Sequence, residues 1–318
     1  MAEVKGYVFD IEGTLYKGGE LQKGVPELFR TISNTGKPIM FVSGMNRTEM
    51  QQVVDKISDE AGVKLNSILA SNAGASICYN GEKTSSTLNP EKINQIRDIV
   101  RENANGSVVV FRTDITNYRE KAIEADTISA KAKKGITIFL KAILEAMKKV
   151  ELNCIPTSNE NLSKLIDSNE ICSLEICALP SNIKPLALKI REVLPELKIT
   201  ESATVQISTK SKWSALQDVF GEDAKDVCYF GDSDNDIECI QNCQKAVLTN
   251  AKKSRMFDVV EKEQSKGNEK FATVDLGDAE LHKYILGNSY SSEYLNNMTT
   301  SAKGQTKDAK ASKSLTTR

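Results

Sequence analysis

The sequence predicts an α/β fold in which a doubly wound parallel sheet carries an inserted α+β domain. Apolar strands alternate with amphipathic helices at both ends of the chain, over residues 1–82 and 205–287. Between them, residues 83–204 form a long block with strands and helices of its own. Strand–helix alternation favours parallel pairing, so the two outer segments are expected to complete one sheet around the insert.

The N-terminal segment begins with the apolar strand YVFD, and the chain then alternates between the two element types. Pro26 in a first turn and Gly36 after a last turn are typical of a helix between them. The continuous apolar run PIMFVSG is typical of a strand buried on both faces. The predicted elements are a strand at 7–10, a helix at 24–36, a strand at 38–44, a helix at 47–58 and short strands on either side of 72–74.

The same pattern returns in the C-terminal segment, and the insert has a mixed pattern. In the C-terminal segment, the predicted elements are helices at 212–220 and 234–243 and strands at 226–231, 245–250 and 271–275. In the insert, they are helices at 89–104, 132–150 and 183–194 and strands at 107–112 and 173–179. Residues 288–318 are rich in Ser, Thr, Asn and Lys, which predicts a disordered tail.

Composition excludes several classes of function. The chain has 318 residues and a net charge of −1, so no basic field recruits nucleic acid. Its most apolar helical stretch, ITIFLKAILEAM, is too short and too charged to span a membrane, and no leader sequence is expected. The seven cysteines lack a paired CxxC pattern and predict reduced thiols in a cytoplasmic protein.

The chain contains one histidine, His282, far from every motif described below. A Ser-His-Asp or Cys-His mechanism, or a histidine-rich zinc site, would depend on that residue alone. We therefore expect the chemistry to be done by carboxylates, a lysine and a hard metal ion.

The first chemical motif is DIEGT at residues 10–14, directly after the first strand. A carboxylate such as Asp10 can attack phosphorus and form an acyl-phosphate, which divides one difficult hydrolysis into two easier steps. Glu12, two residues on, is placed to protonate the leaving alkoxide and then to activate water. The alternative is that these carboxylates only solvate the end of a strand.

Two shorter signals suit a phosphoryl group. Ser43 ends the second strand and is followed by Gly44, whose backbone N–H is open to close approach by an anion. A lysine at the start of the helix in TKSKWSAL can neutralise phosphate charge, and both Lys210 and Lys212 are candidates. Taken alone, the Ser-Gly pair is better explained as an ordinary turn, and a lysine at a helix start is usually part of the solvated surface.

The most specific stretch is YFGDSDND, in which Asp232, Asp234 and Asp236 crowd the turn between a strand and a helix. Some of these carboxylates can cap the helix and favour its dipole. Three carboxylates within five residues also repel one another, and a hard cation relieves that repulsion. Oxygen-only ligands favour Mg²⁺ over zinc, so we predict a magnesium site here.

Together and in this order, these motifs resemble those of the haloacid dehalogenase superfamily: D-x-D-G-T, a Ser or Thr, a Lys, and G-D-x-x-N-D. The position of the insert, SNAGASICYNGE before it, and GDSDND resemble the Cof-type, or type IIB, branch. The stretch LYKGGELQKGVPELF is similar to the type IIA branch, but the position of the insert argues against that branch. KWSAL resembles the K-G-x-A-L of the Cof-type branch, which favours Lys212 over Lys210.

The resemblance implies a Rossmann-like catalytic core at 1–82 and 205–287 and a cap domain at 83–204. It implies a Mg²⁺-dependent phosphatase whose partner is a small phosphate ester. Asp10 would be the nucleophile and Glu12 the general acid/base. The other implied roles are phosphate binding by Ser43, Gly44 and Lys212, metal binding by Asp10, Asp232 and the backbone carbonyl of Glu12, and support from Asn235 and Asp236.

Three positions depart from the branch pattern. Glu12 replaces the second Asp, Met45 replaces a common Arg, and Trp213 replaces the Gly after the motif lysine. The enolase-phosphatases carry a similar DIEGT, so Glu12 is compatible with hydrolysis. The departures also keep open a catalytically weak relative that binds a phosphorylated ligand or a protein partner. Phosphoryl transfer between sugar positions, as in phosphomannomutases, fits less well because their fourth motif differs.

Overall fold

The computed structural model describes residues 4–104, 107–120, 154–249, 255–267, 270–273 and 281. The predicted tail at 288–318, His282 and the predicted helix at 132–150 lie outside these ranges. Within the ranges, no helix is both long enough and apolar enough to cross a membrane.

The described strands, in chain order, are β1 (Tyr7–Phe9), β2 (Tyr16–Lys17), β3 (Glu20–Leu21), β4 (Ile39–Val42), β5 (Ser67–Ser71), β6 (Ser76–Tyr79), β7 (Glu82–Ser85), β8 (Val108–Arg112), β9 (Asn117–Glu120), β10 (Cys154–Thr157), β11 (Ser173–Cys177), β12 (Lys198–Glu201), β13 (Val205–Ser208), β14 (Cys228–Gly231), β15 (Lys245–Leu248) and β16 (Phe271–Thr273). The described α-helices are α1 (Val25–Ser33), α2 (Arg47–Ala61), α3 (Pro90–Asn103), α4 (Asn159–Asp167), α5 (Pro180–Val193), α6 (Lys212–Phe220), α7 (Ile237–Asn242) and α8 (Arg255–Ser265).

The main sheet has the strand order β16-β15-β14-β1-β4-β5-β6-β7. Its pairs from β16 to β5 are parallel, which confirms the predicted doubly wound parallel sheet. The last two strands pair antiparallel because two turns with positive φ angles, Asn72–Gly74 before β6 and residues 80–81 before β7, reverse the chain.

Both faces of the main sheet are buried. Along β1, Phe9 points into one apolar cluster while Val8 points into another on the opposite face. The Phe9 ring lies 4.8 Å from the ring of Phe29 on α1 and 4.3 Å from that of Phe230 on β14, measured between centroids. Helices on both faces explain why the central strands read as continuous apolar runs.

The second sheet has the order β10-β9-β8-β11-β13-β12 and is mainly antiparallel. Alternate residues such as Phe111, Leu174 and Ile207 point into an apolar cluster with α3, α4 and α5. On the opposite face, β11 and β13 present mostly polar residues, whereas β8 presents Val108, Val110 and, at its end, Arg112. This sheet therefore has one apolar face, covered by helices, and an opposite face, called the polar face below, whose polar residues include Arg112, Glu175 and Gln206.

Hydrogen bonds hold the second sheet against the carboxyl ends of the main-sheet strands. The Asn72 side-chain amide donates to the carbonyl of Thr113 at 3.1 Å and accepts from the Ser173 hydroxyl at 3.1 Å. Asp114 accepts from Arg47 Nε at 2.9 Å and from the Ser76 hydroxyl at 2.7 Å. Together these bonds fix the height of the polar face above the main sheet.

The residue limits of the core and the cap stay a prediction, and the two sheets end at slightly different residues. Strand β7 belongs to the main sheet and ends at Ser85, three residues beyond the expected limit. Strand β13 pairs within the second sheet through Ser208, four residues beyond the other expected limit.

Candidate active site

Three adjacent strands of the main sheet end at polar residues. Asp10 follows β1, Ser43 follows β4 and Asp232 follows β14. Because these strands are parallel neighbours, their carboxyl ends meet at one edge of the sheet. The backbone N–H of Asp10 donates to the carbonyl of Phe230 at 2.9 Å, which ties two of these ends together.

A buried ion-pair triad occupies this edge. Lys212 Nζ lies 2.6 Å from Asp10 Oδ1 and 2.8 Å from Asp236 Oδ1. Lys212 is the first residue of α6, whose N-cap Ser211 exchanges reciprocal hydrogen bonds with Ser214. Burial opposes the charge on Lys212, but the two carboxylates outweigh it and raise the pKa of Lys212. The ammonium therefore remains charged at neutral pH.

Lys210, the other candidate for the phosphate-binding lysine, pairs with a different carboxylate. Lys210 Nζ lies 2.7 Å from a carboxylate oxygen of Asp218, and both side chains are partly exposed. The structure thus brings Lys212, and not Lys210, into contact with Asp10.

Asp236 is fully buried and has partners on both oxygens. Oδ1 accepts from Lys212 and, at 2.6 Å, from the Tyr229 hydroxyl. Oδ2 accepts from the backbone N–H groups of Asp232 and Ser233, both at 3.1 Å. Asp236 therefore shapes the loop after β14 and braces Lys212.

The loops after β1 and β14 approach each other closely. Gly13 has φ of +85°, and a Cβ there would overlap the carboxylate of Asp232. The Thr14 hydroxyl lies 3.1 Å from Asp10 Oδ2 and 3.3 Å from Asp232 Oδ1, so it bridges the two carboxylates. A glycine is required here because any larger residue would push the two loops apart.

Three carboxylates could share a cation. Oxygen atoms of Asp10, Asp232 and Asp236 all lie within 4.8 Å of one another. Burial, with repulsion from neighbouring carboxylates, raises the pKa of Asp10 to about 7 and that of Asp232 to about 8, although Lys212 opposes both shifts. Hard oxygen donors under mutual repulsion fit a divalent cation such as Mg²⁺.

Glu12 lies outside that cluster of three carboxylates. Its side chain is exposed, although protein atoms surround it closely. The surrounding walls nevertheless displace much of its water, and this desolvation raises the pKa of Glu12. Arg112 opposes the shift, while Glu175 and Glu49 reinforce it, so the environment of Glu12 includes groups from the second sheet.

Ser43 and Gly44 form part of a tight turn beside the site. The backbone N–H of Met45 donates to Ser43 Oγ at 3.3 Å, and Ser43 is buried. Gly44 lies directly beneath the second sheet. A Cβ at this position would come within 3.1 Å of Gln206 Nε2. Met45, at the position of the usual Arg, is buried in the apolar cluster and does not line the cleft.

A cavity of about 300 Å³ lies between the two sheets. From the main-sheet side it is lined by Gly44, Lys212, Trp213 and Asn235, and from the second sheet it is lined by Arg112, Gln206 and neighbouring residues. Asn235 Oδ1 is buried and has no hydrogen-bond partner among the described residues. Trp213, which replaces the Gly of the branch pattern, thus places its ring against this cavity.

Several residues around the site carried no recognisable signal in the sequence. Tyr229 lies within an apolar strand, and Arg112, Glu175 and Gln206 belong to strands of the second sheet. Glu175 and Gln206 alternate with apolar residues, which marks one polar face of that sheet. That pattern could have indicated a polar face, but not what the face covers.

The whole chain was compared with known families and proteins. The family described as haloacid dehalogenase-like hydrolase matches residues 7–269. A curated relative, the 5'-nucleotidase YutF of Bacillus subtilis (strain 168), is 37% identical over 57 residues, which are 18% of this chain and 22% of that protein. The match therefore spans about a fifth of the relative's length.

Solved structures share the fold at low sequence identity. A haloacid dehalogenase-like hydrolase from Bacteroides thetaiotaomicron has a TM-score of 0.61 at 13% identity, covering 89% of this chain and 98% of its own. A subclass IIB sugar phosphatase of the same superfamily has a TM-score of 0.61 at 15% identity, covering 88% and 97%. The arrangement predicted from the motifs, a Rossmann-like core with an inserted cap, is confirmed.

Proposed function

This chain belongs to the haloacid dehalogenase-like hydrolase family, and from that premise we propose that it is a phosphomonoester hydrolase. It would work through an aspartyl-phosphate intermediate, with Mg²⁺ as cofactor. The observation that carries the proposal is the 2.6 Å contact between Lys212 and Asp10. A buried carboxylate held by a buried ammonium is suited to receiving a dianionic phosphoryl group.

Asp10 is the proposed nucleophile. Thr14 and Lys212 each contact one of its carboxylate oxygens, so the side chain is held in one orientation. Attack forms a bond between the carboxylate and phosphorus and breaks the bond from phosphorus to the leaving alcohol. Lys212 offsets negative charge on the transferring group, and Ser43 and Gly44 would offer hydrogen-bond donors to its oxygens.

Glu12 is the proposed general acid/base. Desolvation raises its pKa, which favours the protonated form needed to donate to the leaving alkoxide. The resulting carboxylate then takes a proton from the water that attacks the intermediate. Its exposure gives it access to both the leaving group and that water.

The residues present fit a hard divalent cation. Asp10 and Asp232 would ligate it with their carboxylates and Glu12 with its backbone carbonyl, while Asp236 and Asn235 support the loop. Asn235 supports this fit because its buried Oδ1 has no partner among the described residues. When bound, Mg²⁺ supplies positive charge that stabilises the transferring phosphoryl group.

We propose a small soluble phosphate ester, such as a sugar phosphate, as the substrate. The cavity of about 300 Å³ suits a ligand of that size. The names of the similar proteins, a sugar phosphatase and a 5'-nucleotidase, support a small phosphorylated metabolite. We further propose a cytoplasmic enzyme without nucleic-acid or membrane partners, in keeping with seven cysteines that are all free.

The rival function is a catalytically weak relative that binds a phosphorylated ligand or a protein partner. Glu12 is the feature that favours it, since a glutamate replaces the family's aspartate and its carboxylate stands apart from the other three. Such a protein would show ligand-induced thermal stabilisation without turnover.

The test is phosphate release from an aryl phosphate and from a mixed sugar-phosphate pool, with and without Mg²⁺. Mg²⁺-dependent release that disappears in Asp10→Asn supports the hydrolase. No release from either substrate, together with a raised melting temperature on ligand addition, would support the binding protein.

A further inference from the structure

The polar face of the second sheet contains a buried arginine that the proposed chemistry does not use. Arg112 ends β8, has 5% of its surface exposed and lines the cavity shared with Lys212. Its Nη1 is shielded from bulk solvent and has no hydrogen-bond partner among the described residues. A buried guanidinium donor left without a partner costs free energy, which an incoming acceptor can recover.

The guanidinium is held in place from two sides. Glu175 on β11 accepts a short hydrogen bond from Nη2, and Glu175 in turn accepts from the Thr204 hydroxyl at 2.8 Å. On the other side, Glu49 Oε2 lies 3.7 Å from Nη1, an ion-pair distance that is too long for a hydrogen bond. Asn117 fixes Glu49 through a 2.7 Å hydrogen bond.

The positive charge of Arg112 is already neutralised by the carboxylates around it. Glu175 and Glu49 outweigh the effect of burial and raise the pKa of Arg112, and the charge of Glu12 acts in the same direction. One positive charge therefore faces the two carboxylates of Glu175 and Glu49. A second anionic group on a ligand would gain little from this arginine and would be repelled by its neighbours.

Two of the remaining cations that line the cavity are paired with carboxylates, and the third, Lys198, shares the lining with acidic residues. Arg191 lies 3.0 Å from Glu201, Lys210 pairs with Asp218, and Lys198 shares the cavity lining with Asp234 and Glu238. Beyond the phosphate end of the cavity, the lining therefore offers hydrogen bonds without an excess of positive charge.

We propose that Arg112 determines substrate specificity by donating to an uncharged oxygen of the leaving group, such as a sugar hydroxyl. The set formed by Arg112, Glu175 and Gln206 therefore selects monophosphates of neutral, hydroxyl-bearing alcohols. It rejects esters with a second phosphate or a carboxylate. This inference rests on the proposed hydrolase function for its kinetic test, but its binding test does not require turnover.

The kinetic test compares three phosphate esters: a hexose 6-phosphate, the corresponding hexonic acid 6-phosphate, and phenyl phosphate. The hexonic acid adds one carboxylate, and phenyl phosphate has no hydroxyl for Arg112 to reach. Arg112→Met is expected to lower kcat/KM for the hexose phosphate roughly 10- to 100-fold more than for phenyl phosphate. The wild-type enzyme is expected to prefer the hexose phosphate to the hexonic acid phosphate.

Arg97→Met is the matched control. Arg97 also forms a buried ion pair within the second sheet's layer, at 2.7 Å from Glu120, but it does not line the cavity. Its loss is expected to change stability while leaving the ratio between the three substrates unchanged. Glu175→Gln removes one negative charge behind Arg112 and is expected to raise the relative kcat/KM for the hexonic acid phosphate.

Binding supplies a readout that does not depend on catalysis. Trp213 is the chain's single tryptophan and lines the same cavity, so its fluorescence reports occupancy. In an Asp10→Asn background, Arg112→Met should weaken hexose 6-phosphate binding about tenfold or more and barely affect the binding of inorganic phosphate.

Equally weakened binding of both ligands, or tighter wild-type binding of the hexonic acid phosphate, would overturn the proposal. Absence of turnover with this binding pattern intact would instead count against the hydrolase function alone.

Discussion

The two sides of the cleft handle buried charge differently. On the main sheet, one lysine sits between Asp10 and Asp236, with Asp232 close by, and the carboxylates outnumber the cation. On the second sheet, Arg112 is fixed by two glutamates and keeps a donor without a partner. In the proposed enzyme, the main-sheet side takes a divalent cation and a phosphoryl group, whereas the other side takes a neutral acceptor.

This contrast follows from the two sheet types. The carboxyl ends of neighbouring parallel strands lie side by side at one edge of the sheet. Charged side chains at these ends are therefore close together, and their pKa values shift. An antiparallel sheet with one covered face spreads its polar side chains over an area. In the proposed enzyme, we therefore expect the chemistry at the strand ends and substrate recognition on the polar face.

The largest expected effect is loss of the nucleophile. Asp10→Asn should lower kcat at least about 10³-fold, because an amide cannot form the acyl-phosphate. Steady-state phosphate release measures this, and binding of inorganic phosphate serves as the folding control. Residual turnover within tenfold of wild type would place the chemistry elsewhere.

The next effect concerns Glu12. Glu12→Gln should cost roughly 10²- to 10⁴-fold in kcat if the side chain is the general acid/base. The loss should shrink for substrates with good leaving groups, such as p-nitrophenyl phosphate, because these need less protonation. Unchanged kcat in Glu12→Gln would remove the acid/base role and favour the binding protein.

Gly13 tests how closely the two catalytic loops must pack. Gly13→Ala should destabilise the protein by roughly 2–4 kcal/mol, because it combines a positive φ with overlap on Asp232. Gly18→Ala is the matched control: its φ is +62° with nothing within 4 Å of the new Cβ, so about 1 kcal/mol is expected. Chemical denaturation of both variants measures the difference, and equal losses would show that the loops are not constrained.

A smaller effect links Mg²⁺ to pH. Burial raises the pKa of Asp10 to about 7 and that of Asp232 to about 8, well above their usual value of 3.8. Between pH 4 and 8 the folded state therefore holds protons that the unfolded chain releases, so these groups stabilise the metal-free protein less as pH rises. Mg²⁺ would bind the same carboxylates and therefore compete with these protons for them.

The increase in melting temperature on adding Mg²⁺ should therefore be larger at pH 8 than at pH 5.5. Asp232→Asn should reduce the increase at pH 8. An increase that is the same at both pH values would show that the cation does not displace these protons.

The sequence predicted the main-sheet side of the cleft in most of its parts. Asp10, Ser43 and Asp232 could be placed together because each follows an apolar strand, and strand ends converge in this fold class. Lys212 could be separated from Lys210 only through the resemblance of KWSAL to a family motif. Lys212 and Asp10 are 202 residues apart along the chain, so no local sequence pattern encodes their contact.

The second-sheet side was not predictable to the same degree. Strands β9, β10, β12 and β13 are each only four residues long, too short for their residue pattern to give a clear signal. Arg112 reaches Glu175 only because β8 and β11 pair in one register across 63 residues. That pairing depends on long-range packing, which the local sequence does not specify.

The most direct measurement is to trap the phosphorylated enzyme. Wild-type protein is mixed with Mg²⁺ and a phosphate ester that it hydrolyses, and the reaction is quenched in acid within milliseconds. The protein is then digested and its peptides are examined by mass spectrometry. The account predicts one phosphoryl group on Asp10, absent when Mg²⁺ is omitted and absent from Asp10→Asn. Phosphate release without any phosphorylated Asp10, or a phosphoryl group on another residue, would contradict it.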